Sequence, residues 1–428
     1  MRSNHLNAGH TIYKIIKSHF SLKWPIVIST FIAGCILGII PVLPAVAQTL
    51  PSSQVYGWGA KEAWISCGKT NPACNQSPVA VNGLSNVIKL DASDVSNLAI
   101  ESNGTVWAWG QNSYGELGNG TTTASATPVQ VSGLSNVVAT DTGNSDAVAL
   151  ESNGTVWSWG NNANGQLCNG SKGGYETIPQ PISALNSLPG GVKVTSVAAG
   201  GNKTVFLLSN GTVMTCGLNG DGELGNGSTK PYTDLPVEVS NVSGQSGHLQ
   251  NVVAISSGNL FIGALLSNGT VVSWGNNAYG QLGNGTTTNS SVPVPVSGLS
   301  GVAQISYGGD EPNNGHSMAL LSNGTVMTWG DNASGQLGNG TTTNSSVPVA
   351  VTGLSDGVSS DVTTIAAGGL HSMALLSDGS LMMWGDNSEG QLGNGTTMNS
   401  TVPIKVLSNC EFISAGALDS LAALTPAS

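Results

Sequence analysis

Arginine is nearly missing from this sequence. Of its 428 residues only Arg2 is an arginine, and charged residues of all kinds make up 8% of the chain. After residue 47, eight lysines stand against 23 acidic residues, which leaves a formal net charge of −15 for that part. Nucleic-acid binding requires clustered lysine and arginine to displace counterions from phosphates. We therefore expect no nucleic-acid partner, and solubility is a sufficient reason for the acidity.

The dominant feature of the sequence is a repeat of 50 to 58 residues. Most copies contain Gly-Thr-Val-x-x-Trp-Gly or a close variant, followed by Gly-Gln-Leu-Gly or a close variant, which the cysteine loop replaces after Trp58. The Trp-Gly step begins at Trp58, Trp109, Trp159, Trp274, Trp329 and Trp384, and Cys216-Gly217 takes its place in a seventh copy. A period of this size is typical of solenoids, propellers and arrays.

The repeat at 354–406 shows what one copy contains. Apolar runs at 371–376 and 381–384 are joined by Asp378-Gly379, a strong hairpin signal because the tight turn needs positive φ. A further strand precedes them at 362–365, and a last one at 402–406 includes a proline, which suits an edge strand. Four short strands per copy are typical of a propeller blade.

The two ends of the chain read as two halves of one more copy. Residues 411–424 match the first half of a repeat and 54–59 match the second half. We predict an all-β, seven-bladed β-propeller closed by pairing of the N- and C-terminal strands. The predicted blades are about 84–131, 134–182, 192–239, 249–296, 299–351, 354–406, and a composite of 409–426 with 54–81.

The motif Trp-Gly-x-Asn-x-x-Gly-Gln-Leu-Gly-x-Gly, preceded by Ala-Gly-Gly-x-His-Ser-x-Ala-Leu and Asp-Gly, resembles the RCC1 (regulator of chromosome condensation) repeat over residues 54–424. The resemblance implies a seven-bladed propeller with terminal closure. A WD-repeat propeller is the alternative, but its period is nearer forty. Founding eukaryotic members of the family exchange guanine nucleotides on a small GTPase and bind chromatin. Secreted bacterial members include an inhibitor of β-lactamases that binds through loops on one face, and this chain resembles that group in organisation.

The N-terminal segment predicts export. Residues 1–47 carry four basic residues and no acid, an apolar run over 24–43, and Ala45-Val46-Ala47 before a cleavage point. We predict a signal peptide over 1–47, a propeller over 48–428, and a secreted or cell-envelope location. Two alternatives stay open: lipidation at Cys35, or an uncleaved membrane anchor.

Five cysteines follow the N-terminal segment. Cys67 and Cys74 lie in an irregular loop, where a local disulfide is the simplest interpretation for an exported protein and zinc is the weaker one. Cys168 replaces a loop glycine and Cys216 replaces a blade tryptophan in consecutive repeats. They could pair or reflect substitution drift, and pairing would leave Cys410 over.

Signs of catalysis are absent from the sequence. It has no Gly-x-Ser-x-Gly elbow, no phosphate loop and no EF-hand pattern. His316 and His371 occupy equivalent positions in successive repeats, but the other copies carry Ser, Asp, Lys or Phe there, so a structural role is favoured. We predict no enzymatic activity, no cofactor and no metal site.

Departures from the repeat supply the candidate binding residues. Residues 310–315 are inserted in one copy, and aromatic residues mark several loops. Loops on a rigid scaffold concentrate binding, and Tyr and Trp dominate interface hot spots. The candidates are Trp64, Tyr114, Tyr175, Tyr232, Tyr279, Asp310, Glu311, Asn313 and Asn314.

The function that these observations favour is an exported protein-binding scaffold. We expect a monomer that binds an extracellular or envelope protein and touches a membrane only through its N-terminal segment. Exchange of guanine nucleotides on a small GTPase is the first alternative. A carbohydrate-binding or carbohydrate-active propeller is the second.

Overall fold

The strands occur in groups of four that follow the repeat. The computed structural model describes residues 53–59, 76–93, 95–186, 188–310, 314–354 and 361–425. Within these residues 28 strands form seven antiparallel four-stranded sheets, and the helical elements are two 3-10 turns, Ser183–Leu185 and Pro189–Gly191. No helix in this part of the chain is both long and apolar enough to cross a membrane.

Six blades are continuous in sequence, each with its strands in order from the axis outwards. The first two strands of the chain, β1 (Gln54–Gly59) and β2 (Val79–Val81), belong to the seventh blade. Blade 1 comprises β3 (Val87–Ala92), β4 (Ser96–Glu101), β5 (Val106–Gly110) and β6 (Ser125–Gln130); blade 2 comprises β7 (Val137–Thr142), β8 (Asp146–Glu151), β9 (Val156–Asn161) and β10 (Tyr175–Pro181); blade 3 comprises β11 (Val194–Gly200), β12 (Lys203–Leu208), β13 (Val213–Leu218) and β14 (Tyr232–Glu238).

The second half of the ring has the same order. Blade 4 comprises β15 (Val252–Ser257), β16 (Phe261–Leu266), β17 (Val271–Gly275) and β18 (Ser290–Pro295); blade 5 comprises β19 (Val302–Gly308), β20 (His316–Leu321), β21 (Val326–Gly330) and β22 (Ser345–Ala350); blade 6 comprises β23 (Val362–Ala367), β24 (His371–Leu376), β25 (Leu381–Gly385) and β26 (Ser400–Leu407). The second strand of each blade is almost wholly buried, because neighbouring blades cover both of its faces.

Blade 7 joins the two ends of the chain. Its strands run from the axis outwards as β27 (Cys410–Ala415), β28 (Asp419–Leu424), β1 and β2. β1 pairs with β28 over six residues, from Gln54 opposite Leu424 to Gly59 opposite Asp419. The seven-bladed all-β propeller and its closure by terminal strands are therefore confirmed.

Among the described residues, a tryptophan at the end of the third strand fastens five of the blades to the one before. Its indole is fully buried, and its Nε1–H donates at 2.8–2.9 Å to the carbonyl of the Gln or Glu in the loop of the preceding blade. We call this contact the indole lock; it joins Trp58 to Gln391, Trp159 to Glu116, Trp274 to Glu223, Trp329 to Gln281 and Trp384 to Gln336. The closing junction uses the same contact, since Trp58 lies in β1.

The indole lock explains the second glycine of Gly-Gln-Leu-Gly. A Cβ added to Gly338 would lie 2.6 Å from Nε1 of Trp384, and the equivalent glycines stand equally close to their own tryptophans. Only a residue without a side chain leaves room for the indole there, and the positive φ of +63° at Gly338 adds a second demand for glycine. The tryptophan and the second glycine of the repeat motif are thus the residues that this contact between blades requires.

The inner strands are also joined directly across several junctions. The fifth residue of an inner strand accepts a backbone N–H from the next blade in four cases, at 2.9–3.0 Å: Asp141 from Ala199, Ser256 from Tyr307, Ser306 from Ala367, and Ser414 from Ala92. At another junction, Thr140 donates its hydroxyl to Asp91. These bonds hold the wall of the central channel in a fixed arrangement.

Alanine substitutions at two glycines of one loop distinguish the contribution of the indole lock to stability from that of backbone strain. Gly340 has φ of +81° and nothing within 4 Å of an added Cβ. We expect Gly340→Ala to lower the free energy of unfolding by about 1–2 kcal/mol through its backbone conformation alone. Gly338→Ala should cost about 1–3 kcal/mol more because its methyl group overlaps the indole. Urea denaturation of both variants measures the difference, and equal losses would show that the indole contact is not tight.

Candidate binding face

The chain places its longest ordered loops at one end of the blades. In each blade the loop between the first two strands and the loop between the last two strands leave from the same end, because the strands alternate in direction. We call this end the loop face; it comprises residues 111–124, 162–174, 219–231, 276–289, 331–344 and 386–399, with the first-to-second-strand loops, including 309–310 and 314–315.

Buried asparagines give the loops of the loop face a fixed shape. Asn277 accepts the N–H of Leu282 at 2.9 Å, and its Nδ2 donates to the carbonyls of Thr286 and Thr288 at 3.0 Å each. Equivalent bonds recur at Asn112, Asn162, Asn219, Asn332 and Asn387. One side chain therefore fixes both limbs of each loop.

Each loop also rests on the outer strand of the next blade. Gly120 N–H donates to the Thr177 carbonyl at 2.9 Å, and the matching glycine in each later loop makes the same kind of bond. These bonds run from Gly170 to Asp234, Gly227 to Ser291, Gly285 to Ser346, Gly340 to Thr401, and Gly395 to Gln76. The loop face is consequently a preorganised surface.

Three of the predicted tyrosines follow one another across blades 1 to 3 at this face, in two pairs of contacts. The rings of Tyr114 and Tyr175, from blades 1 and 2, meet edge to face with centroids 6.3 Å apart. Lys172 of blade 2 lies over the ring of Tyr232 in blade 3, with Nζ 3.4 Å from its centroid. The rings are 37–49% exposed, and Tyr279, also 37% exposed, lies on the loop of blade 4. We call Tyr114, Tyr175, Lys172 and Tyr232 the tyrosine strip.

Of the remaining candidate binding residues, two lie within the described part of the chain. Asp310 and Asn314 lie in the first-to-second-strand loop of blade 5, where the Asp310 N–H donates to Asn314 Oδ1 at 3.0 Å. This loop belongs to the loop face, as do Tyr114 and Tyr279, whereas Tyr175 and Tyr232 begin the outer strands β10 and β14 directly after its loops. Glu311, Asn313, Trp64 and the pair Cys67 and Cys74 lie outside the described residues, as do Cys35 and the predicted signal peptide.

A disulfide takes the place of one indole lock. Cys168 and Cys216 are bonded to each other, with Cα atoms 5.8 Å apart. Cys216 stands where the other blades have tryptophan. Cys168 stands where the loop of a preceding blade otherwise has glycine, and its φ of +56° is positive, as it is at those glycines. The sequence left pairing and drift open, and the structure brings the two cysteines together between blades 2 and 3. Cys410 is buried and unbonded.

The two histidines lie between blades. Both are fully buried, and each donates from Nε2 to a serine of the next blade: His316 to Ser372 at 2.7 Å and His371 to Ser420 at 2.9 Å. Ser372 accepts because its own hydroxyl donates to the Gln336 carbonyl. Burial lowers the pKa of His316 to about 3 and that of His371 to about 4, so both are neutral near pH 7. In the described part of the chain, no group of three or more His, Cys, Asp or Glu could hold a metal.

Lys203 occupies the same position in blade 3 and was not singled out by the sequence. Its Nζ donates to the carbonyls of Gly200 at 2.9 Å and of Gly258 and Asn259 at 2.6 Å each. Burial lowers the pKa of Lys203 to about 7, against the opposing effect of the Glu223 and Asp146 carboxyls. A lysine at a repeat position otherwise held by uncharged or acidic residues was the signal that could have revealed it.

A model of the RCC1-like domain matches residues 46–351, which is more than half of the chain, and models of the RCC1 repeat match 362–391 and 378–417. The chain belongs to the RCC1-like family. The prediction from the repeat motif is thereby confirmed.

Relatives of this RCC1-like chain match about half of it. The ultraviolet-B receptor UVR8 of Arabidopsis thaliana is 34% identical over 219 residues, 50% of this chain and 47% of the receptor. The human E3 ubiquitin-protein ligase HERC2 is 33% identical over 216 residues, 50% of this chain but 4% of the ligase. The chain thus spans less than half the length of either relative.

Solved structures share the fold over most of the chain. Human WBSCR16 superposes with a TM-score of 0.73 at 22% identity, covering 87% of this chain and 99% of that one. Prp20p of Saccharomyces cerevisiae superposes with the same TM-score of 0.73 at 20% identity, covering 88% and 92%. At these identities the likeness concerns the fold alone.

The disulfide and the indole lock should be interchangeable. In the double variant Cys168→Gly with Cys216→Trp we expect an indole to fill the space between blades 2 and 3, and the part of the reductant dependence that comes from the Cys168–Cys216 bond to disappear. On reduction the unmodified chain should lose roughly 3–4 kcal/mol more than the double variant, because the cross-link closes a loop with a sequence separation of 48 residues. Cys216→Trp alone should be less stable than the double variant, since the Cys168 side chain occupies the same space.

Denaturation with and without dithiothreitol measures these effects. The double variant also controls for any other effect of the reductant. An equal shift on reduction in both proteins would contradict this assignment, as would a double variant less stable than Cys216→Trp alone.

Proposed function

We propose that this RCC1-like propeller is an exported protein-binding scaffold that holds its partner on the loop face. The observation that carries the proposal is the tyrosine strip, whose exposed rings lie in, or directly after, the fixed loops of three neighbouring blades. Binding to a preorganised surface loses little conformational entropy, and tyrosine supplies large contact area with few rotatable bonds.

The distribution of polar bonds supports a role in binding. The buried asparagines, the glycine contacts to the next blade and the indole locks satisfy the loop backbone internally. The exposed tyrosine rings are not needed for those bonds, so their exposure has no structural reason among the described residues. Exposed, rigid aromatic residues rimmed by polar loops are typical of protein-binding surfaces.

The cysteine pair supports the proposed export. Disulfides persist in oxidising compartments and are rare in the cytosol. The bond between Cys168 and Cys216 replaces an indole lock, so it would stabilise the junction between blades 2 and 3. This agrees with the signal peptide expected over residues 1–47, which no described residue tests.

Propellers of the same fold bind proteins, which supports the class of function. Prp20p of yeast is described with binding properties toward Gsp1p and histones, and it is seen bound to Kap60. Those partners belong to Prp20p, whose 20% identity with this chain carries no residue across. Nucleotide exchange on a GTPase stays an untested alternative prediction, and so does carbohydrate binding on the loop face.

Removal of the tyrosine strip tests the proposal. We expect the triple variant Tyr114→Ala, Tyr175→Ala, Tyr232→Ala to lose more than about tenfold in affinity for the protein partner, because hot-spot tyrosines contribute at least about 1 kcal/mol each. Partners are captured on the immobilised protein from the envelope and secreted fractions of the producing cells, identified by mass spectrometry, and titrated by biolayer interferometry.

A matched control replaces exposed valines at the other end of the blades. Val138 and Val253 are 52% and 54% exposed and begin inner strands, away from the loop face. Val138→Ala with Val253→Ala should leave the affinity unchanged. A partner that the triple variant binds as tightly as the parent, or that only the valine variant loses, would place binding elsewhere and contradict the proposal.

A further inference from the structure

Two neighbouring blades depart from the repeat in the same way at the start of their outer strands. Residues 175–179 of β10 read Tyr-Glu-Thr-Ile-Pro, and residues 232–236 of β14 read Tyr-Thr-Asp-Leu-Pro. The equivalent segments of blades 4 to 6, at 289–293, 344–348 and 399–403, read Asn-Ser-Ser-Val-Pro or Asn-Ser-Thr-Val-Pro. In blades 2 and 3, tyrosine thus stands in place of asparagine and a larger aliphatic residue in place of valine.

The asparagine of blades 4 to 6 has a structural role that these tyrosines do not have. Its Oδ1 accepts the backbone N–H of the buried loop asparagine at 2.8 Å in each case: Asn289 from Asn277, Asn344 from Asn332, and Asn399 from Asn387. In blades 2 and 3 a backbone carbonyl accepts that N–H instead, at 2.8–3.0 Å: Gly174 from Asn162, and Pro231 from Asn219. The side chains of the two tyrosines are therefore not required to hold their loops.

The same two strands present large apolar side chains at the rim of the loop face. Ile178 is 44% exposed and Leu235 is 48% exposed, and each lies three residues, about 10 Å, along its strand from an exposed tyrosine. Each also lies against the loop of the blade before it. A Cβ added to Gly120 would stand 3.7 Å from Ile178, and one added to Gly170 would stand 3.5 Å from Leu235. We define the rim patch as Tyr114, Tyr175, Ile178, Tyr232 and Leu235.

The lysines of the loop face stand beside the rim patch. In the six loops between third and fourth strands the lysines are Lys172 and Lys230, both exposed and both in the loops that lead into β10 and β14. Lys172 Nζ lies over the ring of Tyr232, 3.4 Å from its centroid. The other charged residues of these six loops are all acidic: Glu116, Asp221, Glu223, Asp331, Asp386 and Glu389.

The carboxylates around the rim patch are held within the fold. Asp221 accepts from two asparagine side chains of blade 4 at 2.8 and 2.9 Å. Glu116 and Glu223 are buried, and each accepts the backbone N–H of the residue two places before it at 2.8 Å. Glu176 and Asp234, on the two strands, are half-buried. The exposed charged side chains beside the rim patch are therefore those of the two lysines.

The chemistry of the rim patch selects the kind of partner segment. Its tyrosine, isoleucine and leucine side chains suit large apolar residues at the centre of an interface. Lysines at the edge attract carboxylates on the partner and repel cations. A single-stranded nucleic acid also stacks on tyrosines, but its phosphates would approach a chain whose formal net charge after residue 47 is −15.

We infer that the rim patch binds a protein segment that presents large apolar side chains flanked by Asp or Glu. The apolar side chains contact the rim patch, while the flanking carboxylates pair with Lys172 and Lys230. The inference rests on the proposed protein-binding function. It adds the chemistry of the partner and the contacts on the outer strands of blades 2 and 3.

Peptide selection tests the inference with a defined probe. A phage library of random dodecapeptides is selected on the immobilised full chain. The selected peptides are then synthesised and titrated by fluorescence polarisation, with a thymidine dodecanucleotide for comparison. We expect the selected peptides to be enriched in large apolar residues and in Asp and Glu.

Variants of the rim patch and of its lysines should weaken binding of these peptides for different reasons. Ile178→Ser with Leu235→Ser should lower the affinity more than about tenfold by removing apolar contacts. Lys172→Glu with Lys230→Glu should lower it about fivefold. The same lysine variant should bind more tightly to peptides in which Lys replaces Asp and Glu.

Matched variants in other blades serve as controls. Val347→Ser with Val402→Ser changes the equivalent residues of the outer strands in blades 5 and 6, which are 41% exposed each. Lys405→Glu changes an exposed lysine of blade 6. Both controls should bind the selected peptides as the parent does. Circular dichroism checks each fold, and the lysine variant decides the matter if Ile178→Ser with Leu235→Ser does not fold.

The outcomes distinguish this inference from the proposed function. The inference is overturned if no peptide is selected, if the selected peptides show no excess of Asp and Glu, if only the oligonucleotide binds, or if the folded rim variants keep the parent affinity. Peptide binding that is lost in the triple tyrosine variant but kept in the lysine and aliphatic variants would contradict the inference alone. Peptide binding that the triple tyrosine variant also keeps would contradict the proposed function as well.

Discussion

The contact on which the structure depends is a buried indole that donates to the loop of the preceding blade. It joins five of the seven blade junctions, and a disulfide replaces it at a sixth. Because a four-stranded blade cannot bury both faces alone, it is stable only against its neighbours. The indole lock supplies that contact at the same place in five blades, and the size of the indole requires the glycine beside it.

The same contact explains why the loop face can be rigid and still carry function. Each loop must hold its Gln or Glu carbonyl against an indole, so its base is fixed by the fold. The buried asparagine and the bond to the next outer strand then fix its outer part. What remains free to vary is the exposed residues of the loops and of the strand ends beside them, and there the chain places tyrosines on neighbouring blades. Stability and recognition thus use different atoms of the same loops.

The sequence was informative where the same structural requirement recurs in successive repeats. The recurring Trp-Gly and Gly-Gln-Leu-Gly motifs revealed the blades and the family, and half-repeats at both ends predicted the closure seen between β1 and β28. Cys168 and Cys216 stand in the glycine and tryptophan positions of consecutive repeats, but spacing alone gives no distance between side chains. Ile178 and Leu235 were missed because the pairing register shifts in the outer half of their blades, so period-two alternation cannot tell the exposed side of these strands from the covered side. The tyrosines were found individually, whereas their contact across blades depends on loop conformations.

Exchange of the indole N–H protons tests most directly whether the indole contact that joins neighbouring blades also closes the ring at the junction of the two chain ends. With ¹⁵N-labelled tryptophan, the Nε1–H signals of Trp58, Trp274, Trp329 and Trp384 can be followed by NMR after transfer to deuterated water. The account predicts that Trp58, which fastens the N-terminal strand of blade 7 to blade 6, exchanges as slowly as the other three. If Trp58 exchanged orders of magnitude faster than Trp274, Trp329 and Trp384, the ring would be open at that junction and the account would be wrong.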